Sequence, residues 1–262
     1  MRGAGPSISL AGRGRPYDGG RRPPAPDRVP GARTALLPGP AAPMRKLVIF
    51  GAAAFAEIAH YYFTHDSPWD VVGFTVDAAY LAGTTYHGLP VVPFDEVTRR
   101  FPPADDDMFV AVGIGGVNRQ RAAKVAEAER LGYRLASFVS SRADVPAGLV
   151  VRPNTMIMER AGIQPYVEIG RDSIIWSATR IGFRTRIGDH CWIVSAIFGE
   201  SVTVGEGTFV GLNATVGPCL TLGAHNVIGA GALVLRDTAD DEVHRARAST
   251  PSRVPGWRLW KR

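Results

Sequence analysis

The sequence is short of cysteine, of long apolar runs and of closely spaced histidines, and each shortage removes a class of protein. Two cysteines, Cys191 and Cys219, supply no disulfide framework, so the reducing cytoplasm is the expected setting. No apolar run approaches the roughly 20 residues of a membrane span, so no span is expected. Only His190, His225 and His244 fall after residue 150, with no close pair, so no metal is expected. Basic charge is also scarce where a fold is expected. The formal net charge is +6, but residues 1–43 hold seven Arg against two Asp, which leaves about one unit for the rest. That stretch is rich in Gly and Pro and poor in aromatics, so it reads as a disordered tail rather than a nucleic-acid surface. Met44, followed by Arg45, Lys46 and an apolar run, reads as a chain start.

What the sequence does have is a ladder. Aliphatic residues recur every six positions: Val151, Ile157, Ile163, Ile169, Ile175, Ile181, Ile187 and Ile193. The register slips by one to Phe198 and resumes through Val204, Val210, Val216, Leu222, Ile228 and Val234. Four residues after each rung stands a mostly small residue, among them Thr155, Ala161, Ser173, Thr179, Thr185, Cys191, Ile197, Thr208, Ala214 and Ala232. A helix repeats at 3.6 and a strand at 2, so neither gives period six. Six residues per flat face, three faces per coil, is a hexapeptide β-helix of about five coils.

Upstream, residues 44–147 alternate strand-like and helix-like segments. Residues 47–50, 71–76, 108–112 and 133–139 read as strands, and residues 52–63 as a helix. Asn118 reads as the cap of a second helix, with Arg119, Arg121, Lys124 and Arg130 on its polar side. This is a small Rossmann-like sheet. Ligands of such sheets bind at the carboxyl ends of strands, where Gly51 and Asp77 stand. The Gly51 loop lacks the further glycines of a dinucleotide fingerprint. The expected organisation is a tail over 1–43, a Rossmann-like substrate-binding domain over 44–147, a left-handed parallel β-helix over 148–240, and a C-terminal tail over 241–262 packed on the last coil.

Several segments carry a family likeness: Val72-Gly73-Phe74-Thr75-Val76-Asp77, Gly88-Leu89-Pro90-Val91-Val92-Pro93-Phe94, Ser140-Ser141-Arg142-Ala143, Ile163-Gln164-Pro165, Ile187-Gly188-Asp189-His190-Cys191 and Gly211-Leu212-Asn213-Ala214-Thr215. With the α/β-then-hexapeptide order, they make the chain resemble the sugar O- and N-acyltransferases of the sialic acid O-acetyltransferase type, from about Met44 onward. The resemblance implies a homotrimer with acetyl-CoA in the groove between subunits and a sugar carried by the α/β module. It implies acyl-donor contacts at Trp192, Gly211, Leu212, Gly229, Ala230 and Gly231. It implies sugar contacts at Gly51, Ala53, Ala54, Phe55 and Asp77.

The base is where the sequence departs. The family takes the proton on a histidine two residues after a rung; here that slot holds Phe183, followed by Arg184 where an acid is usual. A second family histidine matches Trp192 or Ala196. His190, three residues after Ile187 and beside Asp189, is the substitute base, since an imidazole titrates near 6.5. Cys191 falls on the inward ladder and reads as a core thiol. Two functions stay open: a CoA-dependent acyltransferase acting on a sugar amine or hydroxyl, and a non-catalytic relative that kept ligand binding.

Overall fold

The computed structural model describes residues 33–34, 45–254 and 256–259. The expectation of a disordered tail therefore falls outside the described residues, except at Arg33–Thr34, which pairs antiparallel with Val150–Val151. Among the described residues, no helix is long and apolar enough to cross a membrane.

A five-stranded sheet runs in the order Thr85–Tyr86, Leu89–Pro93, Trp69–Val76, Arg45–Phe50, Asp106–Val110. Its pairs are parallel apart from the Thr85–Tyr86 edge. The strand Arg45–Phe50, paired on both sides, is buried on both faces because successive side chains point to opposite sides. Leu47 and Ile49 pack with Phe55, Ala59 and Phe63 of the helix Ala54–His65. Val48 and Phe50 pack with Val125 and Ala128 of the helix Arg119–Arg130.

The expected strand over 133–139 does not join this sheet. Only Phe138–Val139 is extended, and it lies parallel to Met156–Ile157. The Phe138 amide donates to the Thr155 carbonyl at 2.9 Å, so its backbone is satisfied by the coil instead. Leu135 keeps a single bridge to Met108. This segment is the first rung of the second half of the molecule.

That half is a left-handed parallel β-helix of two-residue strands stacked in three sheets. Each rung pairs with the third rung after it, one full coil on, as in Ile157 with Ile175 and Ile175 with Ile193. The rungs from Ile157 to Val234 form one apolar column, none more than 5% exposed. Every added coil buries three rung residues, one per face, against those of its neighbours, worth about 1.5–3 kcal/mol per side chain. Thr155, Ser173, Thr179, Thr185 and Thr208 of the small ladder are fully buried, and four of these hydroxyls donate to carbonyls or accept amide protons of adjacent coils.

The slip is located by pairing. Ile181 aligns with Phe198, one position short of the regular repeat, so one coil lacks a residue. Ala196, fully buried, takes the inward small position, and Ile197, expected inward, turns out to 40% exposure. The missing residue is therefore in the turn at Ser195, which adopts φ 43°. At the far end Val243–His244 pairs parallel with Val227–Ile228, so the last segment adds a strand rather than only irregular packing.

The three edges of the prism differ. One carries Asn154, Asp172, His190, Gly207 and His225, all with positive φ. A second carries Met158, Trp176, Val194, Gly211 and Gly229, fixed by the pairings on either side. The third carries Tyr166 and Phe183. The α/β module covers the sheet between the first two edges, where Met156, Ile174 and Trp192 join its core.

Candidate active site

The Asn154 edge holds a buried polar network. Arg121 and Asp172 are both fully buried and pair through Nε and Oδ1 at 2.9 Å. Arg121 also donates to Asn118 Oδ1 at 2.8 Å and to the carbonyls of Asp172 at 3.0 Å and His190 at 2.9 Å. Asn154 Nδ2 donates to the same Asp172 oxygen at 2.7 Å, and Asn154 exchanges two further bonds with the Val110 backbone. Asn118 donates to the Gly207 carbonyl at 2.9 Å. A buried ion pair is tolerated only when its remaining donors and acceptors are satisfied, and here they are.

Two expectations are corrected by this network. Arg121 is not on a polar outer face but is the largest fully buried side chain. Asn118 makes no side-chain cap; at φ 66° it turns into the junction instead. A helix of Arg, Gln, Lys and Glu hides its single inward arginine, since the partner Asp172 lies in the other half of the chain. The signal that could have found it is the coil repeat: Asn154, Asp172 and His190 stand one coil apart.

His190 sits on this edge with a quarter of its side chain exposed, and its Nδ1 lies 2.8 Å from Asp172 Oδ2. Its partner is thus Asp172 and not the adjacent Asp189, whose Oδ1 accepts the Arg171 amide at 2.9 Å. An ionised carboxylate only accepts, so Nδ1 carries the proton and Nε2 keeps the basic lone pair. Cys191 is fully buried, and burial pushes its thiol up to about 12.

At the carboxyl ends of the strands, Gly51 takes φ 125°, and a Cβ there would meet the Ala111 carbonyl oxygen at 2.8 Å. Ala53 and Ala54 are exposed at the start of the helix Ala54–His65. Phe55 is buried, with its ring 4.7 Å from that of Trp192. Asp77 accepts from Lys124 Nζ at 2.7 Å. Burial opposes the Lys124 charge, but Asp77 and Glu127 outweigh it and hold the ammonium above its ordinary value.

The remaining sequence candidates separate. Trp192 points out of the prism, as the repeat implies, but is 6% exposed beneath Phe55, with Arg121 stacked 5.3 Å from its ring. Gly211, Leu212, Gly229, Ala230 and Gly231 come together on the Trp176 edge; the Gly231 amide donates to the Leu212 carbonyl at 2.8 Å. A Cβ on Gly211 would lie 2.7 Å from the Ala230 nitrogen, so the coils stack there without side chains. His190 is on a different edge from this group. Phe183 lies on the third, packed edge-on against Tyr166 at 5.4 Å with Arg184 over its ring.

No family model and no curated protein matches the sequence. Solved structures are similar. A histidine-to-asparagine variant of perosamine N-acetyltransferase from Caulobacter crescentus, in complex with CoA and GDP-perosamine, is 23% identical over 78% of this chain and 97% of that one, with TM-score 0.67. The acetyltransferase domain of PglB from Neisseria gonorrhoeae FA1090, in complex with acetyl coenzyme A, is 19% identical over 76% of this chain and 95% of that one, with TM-score 0.54. Likeness at these identities fixes the fold: a small α/β sheet followed by a hexapeptide β-helix.

Proposed function

We propose that the chain is an acetyl-CoA-dependent acyltransferase of the cytoplasm, acting on an amino or hydroxyl group of a sugar or nucleotide-linked sugar. The reading rests on the junction. An α/β module with open strand ends is locked to a β-helix by the buried Arg121–Asp172 pair, in a fold shared with neighbours crystallised with CoA and with GDP-perosamine.

In this reading Gly51, Ala53, Ala54, Phe55 and Asp77 form the acceptor end. Gly211, Leu212, Gly229, Ala230 and Gly231 line the donor end, backed by Trp192. Their fit is physical: Leu212 is half exposed beside backbone almost free of side chains, which suits an apolar arm lying against the coil. The donor supplies a thioester carbonyl. A neutral amine attacks that carbonyl with its own lone pair, the thioester C–S bond breaks to release CoA as a thiolate, and His190 Nε2 takes the proton that the amine sheds and passes it to the leaving sulfur. His190 and the glycine strip lie on different edges of one prism, so the reading requires a homotrimer in which a neighbour brings the two edges together. The likeness to the sialic acid O-acetyltransferase type belongs to the same proposal.

Phe183 and Arg184 favour a second reading, a non-catalytic relative, because an aromatic pair fills the slot of the usual base. Thiol release from acetyl-CoA with a panel of amino sugars separates the two, run beside CoA titration. Turnover lost in His190→Ala supports the first reading with His190 as base. CoA binding without turnover on any acceptor supports the second.

A further inference from the structure

A cleft of about 530 Å³ runs along the outer flank of the helix Ala54–His65, where it meets Trp176 and Ser177 of the coil. Its size is that of a small-molecule site. Its walls are rings: His60 stacks on His87 at 5.1 Å, and Tyr61, more than half exposed, stacks on His65 at 4.5 Å. Its polar groups are few and directional. Tyr62 and Ser177 of its lining both donate to Glu159, the latter at 2.9 Å. The indole N–H of Trp176 is buried without a partner among the described residues. An unpaired buried donor is uncommon in native proteins and calls for an explanation. The histidines do not make a metal site, because among the described residues no three His, Cys, Asp or Glu side chains converge on an ion position.

Aromatic walls with few polar groups, Glu57 among them, suit a pyranose ring, whose C–H faces stack on aromatics while its hydroxyls seek directed partners. The location agrees. Trp176, Val194, Gly211 and Gly229 follow one another down a single edge. At about 4.8 Å per coil, the glycine strip begins about 10 Å below Trp176. At the other end, Glu57 of the cleft stands within one helical turn of Ala54 at the strand ends.

We infer that this cleft seats the pyranose ring of the acceptor, with the nucleotide or other portion attached to the sugar toward Gly51 and the glycine strip below. The inference rests on the acyltransferase reading and adds to it the place of the sugar. Burial, then the neighbouring His87 and His65, hold His60 below its ordinary value, so the wall it forms is neutral near pH 7.

The test is calorimetric titration of the full chain with a panel of nucleotide-linked 4-amino hexoses, GDP-perosamine included, and separately with CoA and with GDP. Tyr61→Ala removes an exposed ring, and Trp176→Phe removes the indole N–H together with part of the ring while keeping an aromatic wall. We expect at least one sugar to bind, about tenfold weaker in Tyr61→Ala and about fivefold weaker in Trp176→Phe, with CoA affinity unchanged within twofold. A sugar that binds both variants as it binds the wild type overturns the cleft and leaves the acyltransferase reading standing. So does failure of every sugar while CoA binds. Absence of CoA binding overturns the acyltransferase reading itself.

Discussion

The Asn154 edge and the Trp176 edge both meet the α/β module, yet they do so with opposite materials. The first is sewn to the module by side-chain hydrogen bonds to fully buried groups, Arg121 to Asp172 and Asn118 to the Gly207 carbonyl. The second meets it through aromatic surface, Phe55 against Trp176 and Trp192, with Tyr62 to Glu159 as its polar tie. Charged hydrogen bonds fix one geometry, whereas rings tolerate small displacements. The contrast makes one edge the fixed joint and the other the more adaptable contact.

The comparison breaks first at Arg121. Arg121→Ala strands a buried carboxylate and is expected to cost about 3–5 kcal/mol in denaturant unfolding. A loss below about 1 kcal/mol would mean that the junction is held by apolar contact alone. On the other edge, Tyr62→Phe keeps the ring and removes one hydrogen bond to a partly open site, for an expected loss of about 0.5–1.5 kcal/mol. A larger loss than at Arg121 would reverse the comparison. His60 gives the pH dependence. Its folded value is depressed, so its contribution is present above about 6.5 and is lost as pH falls through the folded value. Stability measured from pH 7 to 5 should fall less steeply in His60→Asn than in the wild type. Smallest is the rim of the first edge. Arg119 and Asp241 form an exposed pair at 3.2 Å, and Arg119→Ala should change stability by less than about 1 kcal/mol.

The coil was legible because its rule is local: every sixth side chain faces an apolar axis, taken by an aliphatic residue at every rung but Phe198. The same counting showed Cys191 inside and Trp192 outside. It could not show that Trp192 is covered, because the cover comes from Phe55, far earlier in the chain. It misread Ile197, since an aliphatic residue fits the register on either side of a one-residue gap and only pairing shows where the gap falls. Arg121 was illegible for a different reason. A buried arginine is stable only through its partners, and those partners are set by docking and not by neighbours in sequence. The segment 133–139 has strand-like composition; which sheet takes it depends on whose carbonyls lie within reach.

A stack of coils resists force one layer at a time. Pulled by its C-terminal end, such a prism would peel from Val243–His244 upward, each coil releasing its own turn of slack before the next is loaded. Asn118 grips the coil of Gly207, and Arg121 grips those of Asp172 and His190. Together they bolt the module across three successive layers. Unzipping should therefore proceed easily through the lower coils and arrest at Gly207, which makes the helix Arg119–Arg130 a mechanical stop.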